Sequence, residues 1–307
     1  MNAGDLQYNG IIKKILEHGK WDKDVRARWD DGSPAPTKSI LNTSMTFDNG
    51  VEIPLITSKR VAIKSALVEM FWIWLKKSNV VQHLRDMGAT IWDEWEKPDG
   101  TIGKAYGWQL ANKRRKVKID DLFFQMWRDG EISRFIPVFE DGGDKAFTHG
   151  MLDQVDYLLY TLKKNPNSRR IKTTLWCVED LDDMALEPCV YETHWQLWDG
   201  KLHLTVNIRS NDMALGNPFN IYQYAILHRM IAQVTGHKVG TIHFNIDNAH
   251  IYDRHLEALE GQLNMPTFEV PEIWINPEVT SFYEFTVDDV KVIDYKHGKS
   301  IKMEVAI

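Results

Sequence analysis

The sequence predicts an α+β fold, on three observations. Residues 193–209 read as a β-hairpin, several other segments carry helical periodicity, and the two kinds of element mix without regular βαβ alternation. Taken in chain order, residues 6–18 (LQYNGIIKKILEH) place apolar side chains at helical spacing and predict a short amphipathic helix. Residues 29–36 (WDDGSPAP) are rich in turn formers and read as an exposed loop. Residues 61–76 (VAIKSALVEMFWIWLK) predict a helix that is apolar almost all round, and therefore buried. Glu69 stands inside that run. A buried unpaired carboxylate costs several kcal/mol, so Glu69 must be protonated, specifically hydrogen-bonded, or facing a wet cavity.

Residues 110–151 differ in texture. Charged runs and Gly142-Gly143 interrupt them, and only residues 122–127 (LFFQMW) look periodic, so this stretch reads as an inserted subdomain of a chain that is otherwise one domain over 1–307. Residues 152–163 predict a helix stopped by Asn165-Pro166, and the β-branched run 171–176 predicts a strand. In the hairpin, Asp199-Gly200 forms the turn, and Leu202, Leu204, Val206 and Ile208 alternate with Lys201, His203, Thr205 and Asn207. Pro218 heads a helix that runs to about Thr235 and ends on Gly236.

Composition narrows the function. At 43% hydrophobic and 26% charged residues the chain is globular, and a net charge of −6 argues against a protein that binds nucleic acid by neutralising its backbone. Two cysteines, Cys177 and Cys189, are too few for a disulfide framework in 307 residues. The N-terminus shows no signal pattern and no stretch is long enough to span a membrane, so the chain reads as soluble and cytoplasmic. Twelve tryptophans suit a flat ligand, a large interface or bulky packing. His250 and His255 have no third ligand at recognisable spacing, so no metal is expected. No glycine-rich dinucleotide fingerprint is present, so no nicotinamide is expected either.

Three local features could carry chemistry. Pro188-Cys189 precedes a strand, where a lone cysteine is more often inert packing than a nucleophile. Arg209-Ser210 ends the alternating strand and suits a phosphate grip or a strand-end ion pair. The segment 215–220 (LGNPFN) is by itself a helix start. Their order, together with Ile91-Trp92-Asp93-Glu94-Trp95, Ala105-Tyr106-Gly107, Ser168-Arg169-Arg170, His250-Ile251-Tyr252 and the terminal Val305-Ala306-Ile307, resembles the thymidylate synthase family over nearly the whole chain. The nucleophile segment resembles a less common subfamily with Pro-Cys-Val-Tyr-Glu-Thr.

The resemblance implies a large mixed sheet flanked by helices, sheets packed across a homodimer interface, and reductive methylation of dUMP to dTMP with 5,10-methylenetetrahydrofolate as co-substrate. It implies a catalytic set of Cys189, Glu69, Tyr106, Arg209, Asp212 and Asn220. Nucleotide contacts would come from Arg26, Arg209, Ser210, Asn220, His250 and Tyr252, with Arg169 and Arg170 reaching across the dimer into the partner's site. Folate contacts would come from Lys59, Trp92, Trp95, Leu186, Asp212, Gly216, Phe219 and Ala306.

The chemistry is consistent with those assignments. A soft thiolate can add to C6 of uracil and later leave, but a free thiol of pKa about 8.5 is mostly protonated at neutral pH, and the nearby Arg209 would favour the thiolate. An asparagine amide offers an acceptor for N3–H and a donor for O4, which suits uracil. Burial of Glu69 should raise its pKa toward a range useful for proton transfer. The sequence departs from the family at Val190, where histidine is usual, at His194, at Asp247-Asn248 and at Ala62. These departures leave a dUMP hydroxymethylase, with water capturing the methylene, as the alternative enzyme. A catalytically silent nucleotide- or RNA-binding protein is the alternative outside enzymology.

Overall fold

The computed structural model describes residues 2–139 and 147–307. Helices, in order, are α1 (Ala3–His18), α2 (Ile63–Met70), α3 (Val81–Asp86), α4 (Gly107–Asn112), α5 (Asp121–Arg128), α6 (Gln154–Lys164), α7 (Gly216–Thr235) and α8 (Leu256–Gln262). Strands are β1 (Lys20–Asp22), β2 (Thr37–Asp48), β3 (Arg115–Lys118), β4 (Phe135–Phe139), β5 (Phe147–Leu152), β6 (Ile171–Thr174), β7 (Val190–Trp198), β8 (Lys201–Ile208), β9 (Asn211–Asp212), β10 (Lys238–Tyr252), β11 (Glu272–Ile275) and β12 (Val290–Ile293).

The main sheet runs β1-β2-β10-β8-β7-β6, with β9 beside β10. Strand β10 pairs antiparallel with β2 but parallel with β8 and β9, so the sheet is mixed, and helices and strands do not alternate regularly along the chain, which is the α+β class. The hairpin has the expected form. Asp199 and Gly200 both take positive φ (51° and 70°), the geometry of a tight two-residue turn, and the even-numbered residues of β8 are buried. Those side chains meet α7, which is buried over most of its length and stops at Gly236 with φ of 73°.

Local chemistry sets the other elements. Asn2 caps α1 by accepting from the Asp5 amide, and buried Asp5 then accepts from the Thr57 and Ser58 amides, tying the helix to the segment before α2. Asp153 caps α6 in the same way, and Lys77 joins its carboxylate to the Tyr283 hydroxyl.

Three segments differ from the sequence reading. The helix expected over 61–76 is α only over α2 and widens into a π turn at Phe71–Leu75. Trp72 and Trp74, two residues apart and so on opposite sides of that turn, are both fully buried. The strand expected over 171–176 ends at Thr174. The loop 29–36 is not wholly exposed: Trp29 is 3% exposed, donates to Asp253 Oδ1 at 3.1 Å and packs edge-on to Tyr252, and Ala35 is fully buried. Residues 110–151, of which 140–146 (with Gly142-Gly143) lie outside the described residues, carry α5 and a separate antiparallel sheet β3-β5-β4.

Candidate active site

Cys189 stands immediately before β7, in a loop held from two sides. Its backbone N–H donates to the Tyr106 hydroxyl at 3.2 Å, and its carbonyl accepts from the Arg209 amide at 2.9 Å. The Arg209 guanidinium clamps the same loop, donating to the carbonyls of Pro188 (3.0 Å) and Glu187 (2.7 Å). Burial pushes the Cys189 thiol up; Arg209 pulls it down, while the negative charges of Asp212 and Glu69 raise it further. The balance is upward, so in the free pocket the thiol is protonated at neutral pH and Arg209 only partly offsets burial. Tyr106 holds an unusual backbone, φ 45° and ψ −106°, at the start of α4. For a non-glycine residue that conformation is strained, and such strain concentrates at functional sites.

Glu69 is the carboxylate that the sequence marked as anomalous, and its partners are specific. Trp92 Nε1 donates to Oε1 at 2.6 Å and Gln223 Nε2 donates to Oε2 at 2.5 Å. Burial raises its pKa, and the two donated hydrogen bonds oppose the rise. Trp92 also packs edge-on to Trp95 (5.4 Å) and Tyr106 (5.2 Å), so the aromatic wall and the cysteine loop share side chains.

The third side comes from β9, β10 and α7. Asp212 on β9 pairs with His250 on β10, and its side chain accepts from the Ala214 amide at 2.8 Å. His250 is kept neutral by burial and stacks edge-on to Tyr252 at 5.3 Å. Burial and the charge of Asp212 push Tyr252 up to about 12. Ser210 is half-buried between Arg209 and β9. Asn220 lies in the first turns of α7, where its Oδ1 accepts from Asn211 Nδ2 at 2.9 Å. Gly216 and Phe219 flank it, and a Cβ on Gly216 would come within 4.0 Å of Asn220 Oδ1. Leu186 is half-buried in the loop leading to Cys189.

The chain thus brings together Cys189, Glu69, Tyr106, Arg209, Asp212, Asn220, Trp92 and Tyr252. Other residues named from the sequence sit differently. Arg26 is exposed, though its charge reaches the Tyr252 hydroxyl. Arg169 and Arg170 are exposed just before β6; Ile171 pairs with Trp195, so Arg169 lies beside Leu197 near the far end of β7. At the strand rise of about 3.3 Å per residue, that is roughly 25 Å from Cys189. Neither arginine can serve the site of its own chain. Lys59 is buried, with its ammonium donating to the Ala214 carbonyl at 2.6 Å, and burial lowers it to about 8. Its ammonium therefore faces the Asp212–Ala214 turn and not solvent. Ala306 is half-buried in a terminus tied down by Ile307, which exchanges two backbone hydrogen bonds with Arg28.

The departures are also placed. Val190 is buried, Ala62 and Asp247 are exposed, His194 meets the Arg169 carbonyl, and Asn248 Oδ1 lies 3.3 Å from His250 Nδ1. Among the described residues no group of three or more His, Cys, Asp or Glu is arranged to hold a metal ion, and no helix is long and apolar enough to cross a membrane. Sequence reasoning missed Gln223 and Asn211. Gln223 could have been found as an amide three residues after Asn220, on the same face of the same expected helix. Asn211 carried no signal beyond its position next to Asp212.

The family model described as thymidylate synthase matches residues 6–307. A thymidylate synthase of Bacillus phage phi3T is 51% identical, and thymidylate synthase 1 of Bacillus subtilis strain 168 is 50% identical, each aligned over 310 residues that cover all of both chains. The solved structure of thermostable thymidylate synthase A from Bacillus subtilis superposes with a TM-score of 0.84 at 49% identity, covering 99% of each chain.

Proposed function

The chain belongs to the thymidylate synthase family and is a methyltransferase, and on that premise we propose that Cys189 adds covalently to C6 of dUMP on the way to dTMP. The observation that carries this reading is the convergence of Arg209, Tyr106 and Asp212 on one cysteine, with an amide and a hydrogen-bonded carboxylate alongside.

The nucleotide's phosphate would meet Arg209 and Ser210, with Arg26 from the loop before Trp29. Arg169 and Arg170 would come from the partner subunit in a homodimer, which their distance from Cys189 in the single chain supports. The face of the sheet bearing Thr205, Asn207 and Asn245, half-exposed in the single chain, would pack against the partner. His250 and Tyr252 would hold the deoxyribose hydroxyl, and Asn220 would accept from N3–H and donate to O4.

The Cys189 thiol first gives up its proton to solvent; as the resulting thiolate forms the S–C6 bond, the C5=C6 pair moves toward C5 and O4. Donors at O4 stabilise the charge that develops there. Glu69, raised by burial, is suited to hand protons to and from O4, and Tyr106 to assist removal of the C5 proton. Breaking the S–C6 bond at the end returns the thiolate. When bound, 5,10-methylenetetrahydrofolate supplies both the one-carbon unit and the hydride.

The residues present fit that co-substrate. Trp92, Trp95, Leu186 and Phe219 offer flat or apolar walls, Asp212 offers an acceptor for ring N–H groups, and Gly216 leaves room beside them. Ala306 and the terminus pinned to Arg28 would close over the folate and exclude water. Lys59 enters this reading through the Ala214 turn. The same reading places the chain in the subfamily with Pro-Cys-Val-Tyr-Glu-Thr, in the cytoplasm, as one domain of 1–307 with residues 110–151 inserted; the separate β3-β5-β4 sheet supports the last point.

Incubation with dUMP and 5,10-methylenetetrahydrofolate tests the reaction. Formation of dTMP with equimolar dihydrofolate is the expected result. Hydroxymethyl-dUMP with tetrahydrofolate would mean that water, not hydride, reaches the methylene.

A further inference from the structure

Asn220 does not stand alone. Its Oδ1 accepts from Asn211 Nδ2 at 2.9 Å, and Asn211 Oδ1 accepts from Asn217 Nδ2 at 2.7 Å. Asn211 is 2% exposed and Asn217 is fully buried. Asn217 Nδ2 also lies 3.6 Å from Met45 Sδ, while its Oδ1 has no partner among the described residues.

A chain of amides has a direction, because each link needs an N–H facing an oxygen. Turning one of the three about its last torsion sets donor against donor or acceptor against acceptor, so the three can only turn together. That matters at Asn220, since a free asparagine is ambivalent. With Oδ1 on the Asn211 side it accepts from N3–H and donates to O4, the uracil pattern. Turned over, it donates to N3 and accepts from the 4-amino group, the cytosine pattern.

The buried end favours the first direction. As found, Asn217 leaves one oxygen unpaired and turns its N–H toward sulfur, a weak acceptor. Reversed, it would set its oxygen against that sulfur and strand two N–H donors in the core, where orphaned N–H groups are rarer than under-used carbonyls.

We infer that Asn211 and Asn217 are positioning residues that fix which face of its amide Asn220 presents, and thereby the preference for a uracil over a cytosine nucleotide. This rests on Asn220 being the base reader.

The test is calorimetric binding of dUMP and dCMP to the full-length protein. Asn211→Asp keeps the size but can only accept, so Asn220 must turn to donate to it. The dUMP/dCMP affinity ratio is expected to move at least about tenfold toward dCMP, the scale of one hydrogen bond mis-set in a buried site. Asn217→Leu, which frees Asn211 without adding an acceptor, is expected to shift the ratio the same way by less, and it carries the test if Asn211→Asp does not fold. A purely structural role would weaken both nucleotides alike, so a ratio within about twofold of the unaltered protein overturns the inference. Asn220→Asp separates the two readings. If it shifts the ratio while Asn211→Asp and Asn217→Leu do not, the amide relay alone falls; if it too leaves the ratio unchanged, Asn220 is not the base reader.

Discussion

Cys189→Ser is expected to abolish dTMP formation, lowering kcat by on the order of 10⁴-fold or more, the scale seen when a covalent nucleophile is removed. The hydroxyl is a harder, less acidic nucleophile and cannot both add to C6 and depart readily. Binding should survive, because the clamp around the loop does not use the sulfur. Arg209 holds the Pro188 and Glu187 carbonyls, and the Tyr106 hydroxyl meets the Cys189 backbone N–H, whichever side chain stands at that position. The measurement is therefore a split one: steady-state turnover by dihydrofolate absorbance, and dUMP affinity by calorimetry. Loss of turnover with dUMP affinity retained supports a nucleophile. Appreciable dTMP from the variant would contradict it, and loss of both would assign Cys189 a structural part.

The second large effect concerns the two arginines that cannot reach their own site. Arg169→Ala with Arg170→Ala is expected to lower kcat/KM by about 10²–10⁴-fold, the loss of two charge-assisted bonds to phosphate. If each site borrows those arginines from its partner, two inactive proteins should complement each other. A dimer joining a Cys189→Ser subunit to an Arg169→Ala, Arg170→Ala subunit has one intact site, built from the cysteine of the second and the arginines of the first. Free exchange of equal amounts should then restore about a quarter of the unaltered activity. No recovery after confirmed subunit exchange would mean that these arginines serve another purpose, and the sharing of the site would have to be abandoned.

How far the sequence carried this picture depends on where each signal comes from. The hairpin was legible because β8 buries one face and leaves the other half-exposed, which writes a period of two into the residues. Helix α7 was legible through its terminal proline and glycine. The strands at 115–118 and 135–139 were not, because their residues are largely exposed on both faces and no alternation is imposed. The π turn after Glu69 was hidden for the opposite reason: in an all-apolar run, α and π windings bury similar residues. In the site, Glu69 announced itself as a carboxylate among apolar neighbours. Cys189, Arg209 and Asn220 became specific only in combination. Lys59 shows the limit, since a lysine's sequence context says little about whether its ammonium faces solvent or, as here, a buried carbonyl. Trp29 and Asn211 are similar cases, placed by partners more than 200 and by only nine residues away respectively.

The most direct measurement is mass spectrometry of the denatured protein after incubation with 5-fluoro-dUMP and 5,10-methylenetetrahydrofolate. Fluorine at C5 cannot leave as a proton does, so a covalent course should stall with nucleotide and folate both attached. The expected spectrum carries that added mass on the peptide containing Cys189. An unmodified protein, or a label on Cys177 instead, would contradict the claim that the sulfur of Cys189 bonds to the pyrimidine.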